Sequence, residues 1–557
     1  MTPQREFGER QTGERLSLRD LALLFLVALA LFLPGFTQLP PTDRDESRYL
    51  VTSERMAETG DVIDLRYQEL PRYLQPAGVY WLQSAATTLF DSPNHTKVWV
   101  YRLPSLLAAL AVVLATGFAG ARLFGRTTGL AAALLLAGCF SLNFEARIAK
   151  TDAALLAAIT AAQLAMMRAY LSPLAGRLNA VLFWAALGVG LMIKGPVIVL
   201  VSGTTFAALA IWNRGASWAK RLRPAWGWLI TLAVALPWYV AIGVKTDGDF
   251  YQRALMKNFL GKAGDSEQGH KGPFGYHFAL LIVTLWPGSL LLFRAVGFAW
   301  RERVSPPIRF LLCWIIPSWI LFELVATKLP HYVLPTFPAL ALLAAAALFA
   351  PDAKPFRFGK VAFWLLAAVW LAVSFVLTFL APIGLMQTEH RTSIIAFVLA
   401  ALAFAAILAA LWLLARRKPL AAVGAMAIAA CVTWNNLFGF VVPQLETLWM
   451  SPRIAAAARA ARGCETGKLI TTPYSEPSLV FLYGRDRTVL SPDGPDAAKQ
   501  LAADAACGVA LIGDDDQAAF LGAAHARGLP VRPIDRITGQ NYSNGDDQTL
   551  TLYKAGP

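Results

Sequence analysis

Charged residues are scarce in this chain. Only 15% of its 557 residues are Asp, Glu, Lys or Arg, whereas 56% are hydrophobic, and the mean hydropathy is +0.49. A soluble protein of this length and composition would expose too much apolar surface. Several apolar runs, including 18–39 and 393–415, exceed the roughly 18 to 20 residues that a helix needs to cross a bilayer. The composition therefore predicts a multispan helical membrane protein.

Common motifs of nucleotide and metal sites are also missing. The five cysteines show no Cys-x-x-Cys spacing, and Cys-x-x-Cys is the usual mark of a cysteine metal site. There is no Gly-rich phosphate loop, no Walker sequence and no long-period repeat. The net charge of +14 comes mostly from loops between spans, so membrane topology explains it better than nucleic acid. We expect no nucleic-acid partner and no cofactor, although a divalent metal stays open.

The apolar runs predict about thirteen spans. The first has no small-x-small cleavage site, so we interpret it as a helix and not as a cleaved signal. The predicted spans are 18–39, 98–121, 127–144, 151–171, 179–193, 195–212, 224–244, 275–293, 308–326, 333–350, 359–383, 393–415 and 419–442.

Basic residues alternate between the two sides of this arrangement. If the amino terminus is cytoplasmic, all six short loops on that side are basic, as the positive-inside pattern requires. The long segments 40–97, 245–274 and 443–557 then face outward. The pattern predicts a multi-pass protein of a bacterial inner membrane whose tail is periplasmic. We expect a membrane domain over 1–442 and a second domain over 443–557.

The tail predicts a small α/β domain. "KLITTPY", "RTVLS" and "GVALIG" are typical of short strands, and "EPSLVFLYGR", "DAAKQLAADAA" and "QAAFLGAAHARG" of helices between or after them. Cys464 and Cys507 each precede a strand. In an oxidising compartment the two are candidates for a disulfide.

The first long loop (residues 40–97) predicts two helices too short to span. They cover "ESRYLVTSERMAETG" and "PAGVYWLQSAATTLF", and aromatic residues favour a position at the membrane interface. Asp45 lies near the start of the first helix. It is either a helix cap, since Asp is preferred there, or a carboxylate for catalysis.

Ionisable residues recur at the outward ends of spans, where they are costly and usually functional. Lysines can instead extend towards the interface, but this explains the recurrence of Lys, His, Tyr and Asp less well. Together they predict a site for an anionic lipid phosphate, such as a polyprenyl-phosphate sugar, with a carboxylate nearby as base. The residues are Asp152, Lys194, Lys262, His270, Lys271, Lys328, His331 and Tyr332.

These stretches resemble the GT-C membrane glycosyltransferases that use lipid-phosphate sugars. The resemblance is strongest to aminoarabinose lipid A transferases and protein O-mannosyltransferases. It rests on "DESRY", "AKTDAALL", "KGP", "PWYV", "HKGPF", "KLPHYVLPTFPALALL" and "PSLVFLYGR". The order and common sidedness of these motifs make the resemblance specific, and it covers nearly the whole chain.

The resemblance implies roles for individual residues. Asp45 matches the catalytic carboxylate, and Asp152 matches a second acidic residue near the acceptor or donor head. Arg48, Tyr49 and Tyr332 match positions that line the donor phosphate and sugar. Lys262 loosely matches a basic position of the family. Glu46 is expected to be an orienting neighbour of Asp45, because adjacent helical residues point in different directions.

One departure concerns the sugar. Aminoarabinose transferases carry Glu-Lys-Pro before the Tyr-Trp of the second short helix, whereas this chain has Leu74 and Gln75 before Pro76. Glutamine can donate to a phosphate but lacks the charge that strengthens the contact. Either another cation, Arg72 or Lys262, compensates, or the donor head differs.

The sequence thus predicts an all-α polytopic membrane domain with a C-terminal α/β domain, which transfers a sugar from a polyprenyl phosphate to lipid A or another envelope glycolipid. A protein hydroxyl is the alternative acceptor. A competing class is a transporter of polyprenyl-phosphate lipids, which would show inverted repeats and broken midplane helices. A structural assembly protein would not need Asp45 and Asp152 beside so many cations.

Overall fold

The computed structural model describes residues 15–254, 256, 272–350 and 359–556. Most of them form a bundle of apolar helices that share one large core. Its α-helices are Leu18–Phe32, Val98–Phe124, Arg126–Gly138, Phe140–Glu145, Asp152–Leu171, Arg177–Lys194, Val197–Trp212, Pro224–Lys245, Tyr276–Thr284, Leu292–Arg301, Pro306–Leu324, Phe337–Phe349, Gly359–Thr388, Ile394–Ala415 and Pro419–Trp434.

The predicted count of thirteen spans is not confirmed. Among the described residues, nine helices are long and apolar enough to cross a bilayer, or ten if Tyr276–Thr284 and Gly288–Arg301, bent by 119°, form one span. Arg126–Gly138 and Val197–Trp212 are apolar but shorter, and Leu18–Phe32 has 15 residues. Hydropathy alone does not distinguish a full span from a short helix packed inside a bundle.

A break interrupts the span predicted over 127–144. Cys139 is extended and separates Arg126–Gly138 from Phe140–Glu145. The side-chain amide of Asn143 donates to the carbonyl oxygens of Ala137, at 2.6 Å, and of Cys139, at 2.9 Å. These bonds satisfy backbone groups that a break would otherwise leave unpaired in an apolar environment. The break redirects the chain so that Glu145 ends the short helix.

The first long loop forms the two predicted helices, Asp45–Thr59 and Gly78–Phe90, joined by a two-stranded hairpin of β1 (Arg66–Tyr67) and β2 (Leu70–Pro71). Nine of the 15 residues of Asp45–Thr59 are buried. It packs against Gly78–Phe90 on one side and against the C-terminal domain on another. Protein therefore covers most of this helix, and its position at the membrane interface stays a prediction.

A buried ion pair attaches this loop to the bundle. Glu46 and Arg102 both have 0% exposed side chains and pair through two contacts, at 2.8 and 3.0 Å. Arg102 also donates to the carbonyls of Phe36, Leu39 and Pro40. Burial would raise the pKa of the Glu46 carboxyl, but Arg102 and the backbone N–H groups of Thr42 and Ala149 together keep that pKa below its usual value.

The remaining bonds of Glu46 reach two further segments. Its carboxylate accepts from the backbone and hydroxyl of Thr42, at 2.8 and 2.9 Å, and from the backbone N–H of Ala149, at 2.8 Å. One carboxylate thereby joins the start of the first long loop, the helix Val98–Phe124 and the turn before Asp152.

The C-terminal domain is a five-stranded sheet with helices on both faces. The sheet order is β4-β3-β5-β7-β6, with β3 parallel to β4 and β5, and β7 antiparallel to β5 and β6. The strands are β3 (Leu469–Thr472), β4 (Thr488–Leu490), β5 (Val509–Gly513), β6 (Val531–Asn541) and β7 (Asp546–Ala555), and the helices are Met450–Ala461, Pro477–Tyr483, Gly494–Ala503 and Asp514–Ala526.

The prediction of an α/β tail is confirmed. The three predicted strands are β3, β4 and β5, and each predicted helix forms. The last two strands, β6 and β7, were not predicted, because their many polar and charged residues lack a clear apolar alternation. Cys464 and Cys507 form the expected disulfide, with 5.0 Å between their Cα atoms.

The C-terminal domain rests directly on the helix Asp45–Thr59. Val480 and Phe481 share an apolar cluster with Leu50, Val51 and Tyr101. At the edge of this contact Arg485 pairs with Glu58 at 2.7 Å, and the Gln68 amide donates to the carbonyls of Arg485 and Thr488. The two domains therefore meet along the first long loop.

Glu54 is buried in the same contact. It is 6% exposed, and its Oε2 atom has no hydrogen bond within the described part of the chain. Burial and the neighbouring Glu58 raise the pKa of Glu54 from about 4.5 to about 8. The folded protein therefore favours the protonated carboxyl.

We expect Arg102→Met to destabilise the protein strongly, because it leaves Glu46 buried without its partner. Such a loss typically costs about 3 to 5 kcal/mol. Adding Glu46→Gln should recover part of that loss, since the amide still accepts hydrogen bonds but carries no charge. Lys245→Met, which breaks the more exposed pair with Asp61, is the control and should cost less than about 1 kcal/mol. Unfolding in detergent checks this; equal losses for R102M and K245M would contradict it.

We expect Glu54→Gln to stabilise the protein at high pH only. A carboxyl whose folded pKa is raised loses stability as the pH rises from its unfolded pKa, about 4.5, past its folded pKa, about 8. Glutamine does not ionise, so the variant should unfold like the parent at pH 5 and at a higher temperature than the parent at pH 8.5. Thermal unfolding at both pH values checks this. Glu69→Gln, at an exposed glutamate of the same loop, is the control, and a pH-independent difference for E54Q would contradict the assignment.

Candidate active site

A cavity of about 310 Å³ opens beside the first long loop. Its walls come from the ends of several helices of the bundle, and most of them are apolar. Polar groups gather at one part of it. The lining residues are Leu74, Gln75, Pro76, Asp152, Leu155, Lys194, Gly195, Pro196, Val197, Leu200, Tyr239, Phe250, Ala254, Leu321, Phe322, Val325, His331, Tyr332, Leu334 and Pro335.

Asp152 and Lys194 form the strongest contact of this cavity. Asp152 is the first residue of the helix Asp152–Leu171, and Lys194 is the last of Arg177–Lys194. Gly195 follows with φ of 63°, a backbone conformation that only glycine adopts readily, so the chain turns sharply there. The Lys194 ammonium donates to the Asp152 carboxylate at 2.6 Å, and it lies 5.8 Å from the centre of the Tyr332 ring.

Three further ionisable side chains surround Asp152. The Nε2 atom of His331 lies 3.7 Å from Asp152, and its Nδ1 atom lies 3.7 Å from Glu145. The Lys150 ammonium lies 3.8 Å from Glu145 and 4.0 Å from Asp152. Glu145 is 1% exposed, and neither of its carboxylate oxygens has a hydrogen bond within the described residues. The four side chains therefore lie close together, but their hydrogen bonds are incomplete.

The cluster suits an anion better than a divalent cation. Glu145, Asp152 and His331 do offer three ligand atoms within 4.8 Å of one another. However, Lys150 and Lys194 face the same two carboxylates, so two ammonium groups already balance them. A metal ion would have to displace both lysines, whereas a phosphate can receive hydrogen bonds from them directly.

Gln75 lines the cavity, and neighbouring residues outside the cavity hold its side chain. The Tyr49 hydroxyl donates to its side-chain oxygen, so the amide nitrogen is the group left to donate into the cavity. Tyr49 stacks beside Tyr80, with ring centres 5.2 Å apart, and the Arg72 guanidinium lies 5.3 Å from the Tyr49 ring. Arg72 donates to the Tyr80 hydroxyl at 3.2 Å. Tyr49 and Arg72 thus hold Gln75 and do not line the cavity themselves.

Asp45 is an exposed carboxylate near this cluster. It is the first residue of the helix Asp45–Thr59, and its side chain makes no hydrogen bond or ion pair among the described residues. A capping role would require a bond to a backbone N–H. The charge of Asp45 acts on Lys150, Arg72 and Tyr49, which places it within electrostatic range of the cavity. Arg48, one turn further along the same helix, is half-buried and does not line the cavity.

Two of the predicted site residues are bonded to protein groups in this structure. The Glu46 carboxylate accepts from Arg102, Thr42 and Ala149, which is compatible with its predicted role as an orienting neighbour of Asp45. Lys328 is 5% exposed, and its ammonium donates to the carbonyls of Glu323, at 2.6 Å, and Val325, at 2.8 Å. Lys328 does not line the cavity, so its part in substrate binding stays a prediction. Lys262, His270 and Lys271 lie outside the described residues.

Sequence reasoning missed Glu145 and Tyr239 and did not include Lys150 in the site. Lys150 precedes Asp152 in "AKTD", and Glu145 lies seven residues before Asp152, but only the broken helix brings all three together. Tyr239 belongs to "PWYV" and lines the cavity, where its hydroxyl donates to the Leu191 carbonyl at 3.1 Å. Only the positions of these residues within or beside the motifs could have indicated them from the sequence.

Known proteins match this chain in sequence. Residues 20–247 match the family "Dolichyl-phosphate-mannose-protein mannosyltransferase". An undecaprenyl phosphate-alpha-4-amino-4-deoxy-L-arabinose arabinosyl transferase of Erwinia tasmaniensis is 30% identical over 310 residues, 54% of each chain. A Pseudomonas aeruginosa protein of the same name is 28% identical over 345 residues, 60% of each chain. The match thus spans little more than half the length of these curated relatives.

Solved structures match the fold over a longer range. ArnT from Cupriavidus metallidurans bound to undecaprenyl phosphate has a TM-score of 0.74 at 20% identity and covers 97% of this chain and 100% of its own. The same protein in the apo state has a TM-score of 0.73 at 21% identity and covers 96% and 98%. Over part of its length the sequence is thus similar to aminoarabinose transferases and to the protein mannosyltransferase family, and its fold is similar to that of ArnT.

Proposed function

We propose that this chain transfers a sugar from a polyprenyl phosphate to lipid A or another envelope glycolipid. The names of its relatives support this proposal: the Erwinia and Pseudomonas proteins are named for undecaprenyl phosphate aminoarabinose and arabinosyl transfer. The structural neighbour from Cupriavidus metallidurans is bound to undecaprenyl phosphate.

One observation of this chain carries the proposal. The Asp152–Lys194 pair lies in a cavity whose other walls are mostly apolar. A polyprenyl phosphate has the same division, with an anionic head on an apolar tail. Lys194 and Lys150 supply charge-assisted hydrogen bonds to the phosphate, and leucines such as Leu155 and Leu200 cover the first isoprene units.

In the proposed reaction Asp45 removes the proton from an acceptor hydroxyl. The acceptor oxygen attacks the anomeric carbon of the sugar, and the bond from that carbon to the phosphate oxygen breaks. The bonding electrons leave with the polyprenyl phosphate, whose charge the lysines stabilise. A general base typically contributes about 10²- to 10⁴-fold in rate. This reaction needs no cofactor, since the lysines provide the positive charge.

The proposal for the sugar at the donor head rests on the relatives' names and on Gln75. Aminoarabinose is favoured by the relatives' names. Gln75 precedes Pro76 at the position where the resemblance to aminoarabinose transferases implies lysine, so we propose that a neutral amide donates to the donor here. We propose an aminoarabinose-like sugar whose phosphate is bound mainly by Lys194 and Lys150.

A protein hydroxyl is the second candidate acceptor. The match of residues 20–247 to the protein mannosyltransferase family favours it. Both acceptors present a hydroxyl to the same base, so the proposed chemistry is common to them. A transporter that binds the lipid without chemistry would retain its activity without Asp45.

We propose that the protein lies in the bacterial inner membrane with the cavity and the C-terminal domain in the periplasm. The membrane domain then comprises 1–442 and the periplasmic domain 443–557. The basic short loops support this orientation. So does the disulfide Cys464–Cys507 in the C-terminal domain, since disulfides persist in oxidising compartments.

We expect Asp45→Asn to fold and bind undecaprenyl phosphate but to transfer sugar at least about 100-fold more slowly, because the amide cannot accept the acceptor proton. Mass spectrometry of lipid A and of envelope proteins, in a deletion strain carrying the parent or the variant, identifies the modified acceptor and tests the loss. Asp61→Asn, on the same loop but paired with Lys245, is the control. Parental sugar transfer by D45N would contradict the assignment of the base.

We expect Lys194→Gln to weaken binding of undecaprenyl phosphate about 10- to 100-fold, which is the cost of losing a charge-assisted hydrogen bond. Lys328→Gln is the matched control, because Lys328 is a buried lysine that lies outside the cavity. Binding measured by native mass spectrometry should distinguish the two variants. If K328Q weakens binding as much as K194Q, the phosphate is not at Asp152 and Lys194.

A further inference from the structure

Asp45 receives no support through its own side chain. It is exposed and makes no hydrogen bond or ion pair among the described residues. A general base must nevertheless lie within hydrogen-bond reach of the proton that it removes. The position of Asp45 therefore depends on the backbone before and after it.

The backbone after Asp45 is fixed by the membrane domain. Its neighbour Glu46 is bound through both carboxylate oxygens to Arg102 and to the Ala149 backbone. The same carboxylate accepts from Thr42, three positions before Asp45. Asp43 and Arg44 lie between Thr42 and Asp45 and need contacts of their own.

The backbone before Asp45 is bound by the C-terminal domain. The N–H of Asp43 donates to the Tyr542 hydroxyl at 2.7 Å, and the Asp43 carboxylate accepts from the backbone N–H of Ser478 at 3.2 Å. Tyr542 and Ser478 lie far from Asp43 in the sequence. These two bonds connect the C-terminal domain to a residue two positions from Asp45.

Both partners of Asp43 are themselves held in place. The Tyr542 ring packs edge-on against Trp449, with ring centres 5.8 Å apart. The Ser478 hydroxyl donates to Ser451 at 2.6 Å, and Ser451 lies 2.8 Å from the Tyr474 hydroxyl. Contacts within the C-terminal domain therefore hold Tyr542 and Ser478 in place without Asp43.

The residue between Asp43 and Asp45 has an unfavourable backbone conformation. Arg44 has φ of 62° and ψ of −98°, and its side chain makes no capping bond. A positive φ is disfavoured for residues with a Cβ atom, at a cost of roughly 1 to 2 kcal/mol. Such a turn persists only where surrounding contacts hold it.

We propose that the C-terminal domain is a positioning element of the active site, in which Tyr542 and Ser478 hold the Asp43–Asp45 turn and so direct the Asp45 carboxylate towards the cavity. The inference rests on the proposed function, because it takes Asp45 as the base. It assigns the domain a role in the reaction rate. Displacement of a catalytic group by about 1 Å can cost about 100-fold in rate.

Tyr542→Phe tests this proposal. It removes the hydroxyl that accepts from the Asp43 N–H and keeps the ring that packs on Trp449. Tyr483→Phe is the matched control, because Tyr483 is a buried tyrosine of the same domain whose hydroxyl donates to the Gly467 carbonyl at 2.7 Å. Two readouts are needed: steady-state sugar transfer, and hydrogen exchange of the backbone amides of residues 43–48.

We expect Y542F to lower kcat about 10-fold, with KM for the donor within about twofold of the parent, and to speed exchange in residues 43–48. Y483F should change neither. A merely structural role would lower the unfolding temperature and leave the kcat of the folded fraction unchanged. If Y542F does not fold, Asp43→Ala removes the bond to Ser478 and should give the same pattern.

The proposal would be overturned if residues 43–48 exchanged at the parental rate in both Y542F and Asp43→Ala. It would also be overturned if exchange were faster but kcat stayed at the parental value. A parent protein that transfers no sugar would overturn the proposed function instead. In that case the exchange rates of residues 43–48 would still decide whether the C-terminal domain anchors the turn.

Discussion

The buried ion pair between Glu46 and Arg102 organises the region around the cavity. Two charges with no solvent contact are stable only if their hydrogen bonds are nearly complete, and here backbone groups of residues 36–40 and of Ala149 complete them. Because the pair requires all these segments at once, it fixes their mutual positions. The turn before Asp152 and the start of the helix Asp45–Thr59 are thereby placed on one carboxylate.

The cavity shows a second use of buried charge. Lys194 is held by Asp152, and Lys150 lies between Glu145 and Asp152 at distances too long for hydrogen bonds. Where all the hydrogen bonds of a buried charge are made, as around Glu46, the charged group holds the surrounding segments rigidly. Incomplete satisfaction leaves the lysines able to exchange a carboxylate for an incoming phosphate at little net cost in charge. In the proposed function, the same residue types therefore stabilise the structure around Glu46 and bind phosphate beside Asp152.

The first long loop connects these two regions with the C-terminal domain. Its helix Asp45–Thr59 is polar in sequence, yet more than half of its residues are buried. The membrane domain covers one side through Glu46, and the C-terminal domain covers another through Val480 and Phe481. A loop with this many contacts is a scaffold for the site and not a linker between two spans.

The membrane class, the α/β nature of the tail and the candidate stretches around Asp45, Asp152, Lys194 and His331 could be predicted from the sequence. Hydropathy, charge alternation and motif order are local properties, so they can be read along the chain. Which charged side chains are enclosed depends on the tertiary structure. Glu46 and Lys328 resemble the functional residues in type and position, but buried partners occupy them. Glu145 was overlooked, and only the break at Cys139 brings it to His331. The number of spans and the contact between Asp43 and Tyr542 also depend on packing between distant segments, which no local pattern records.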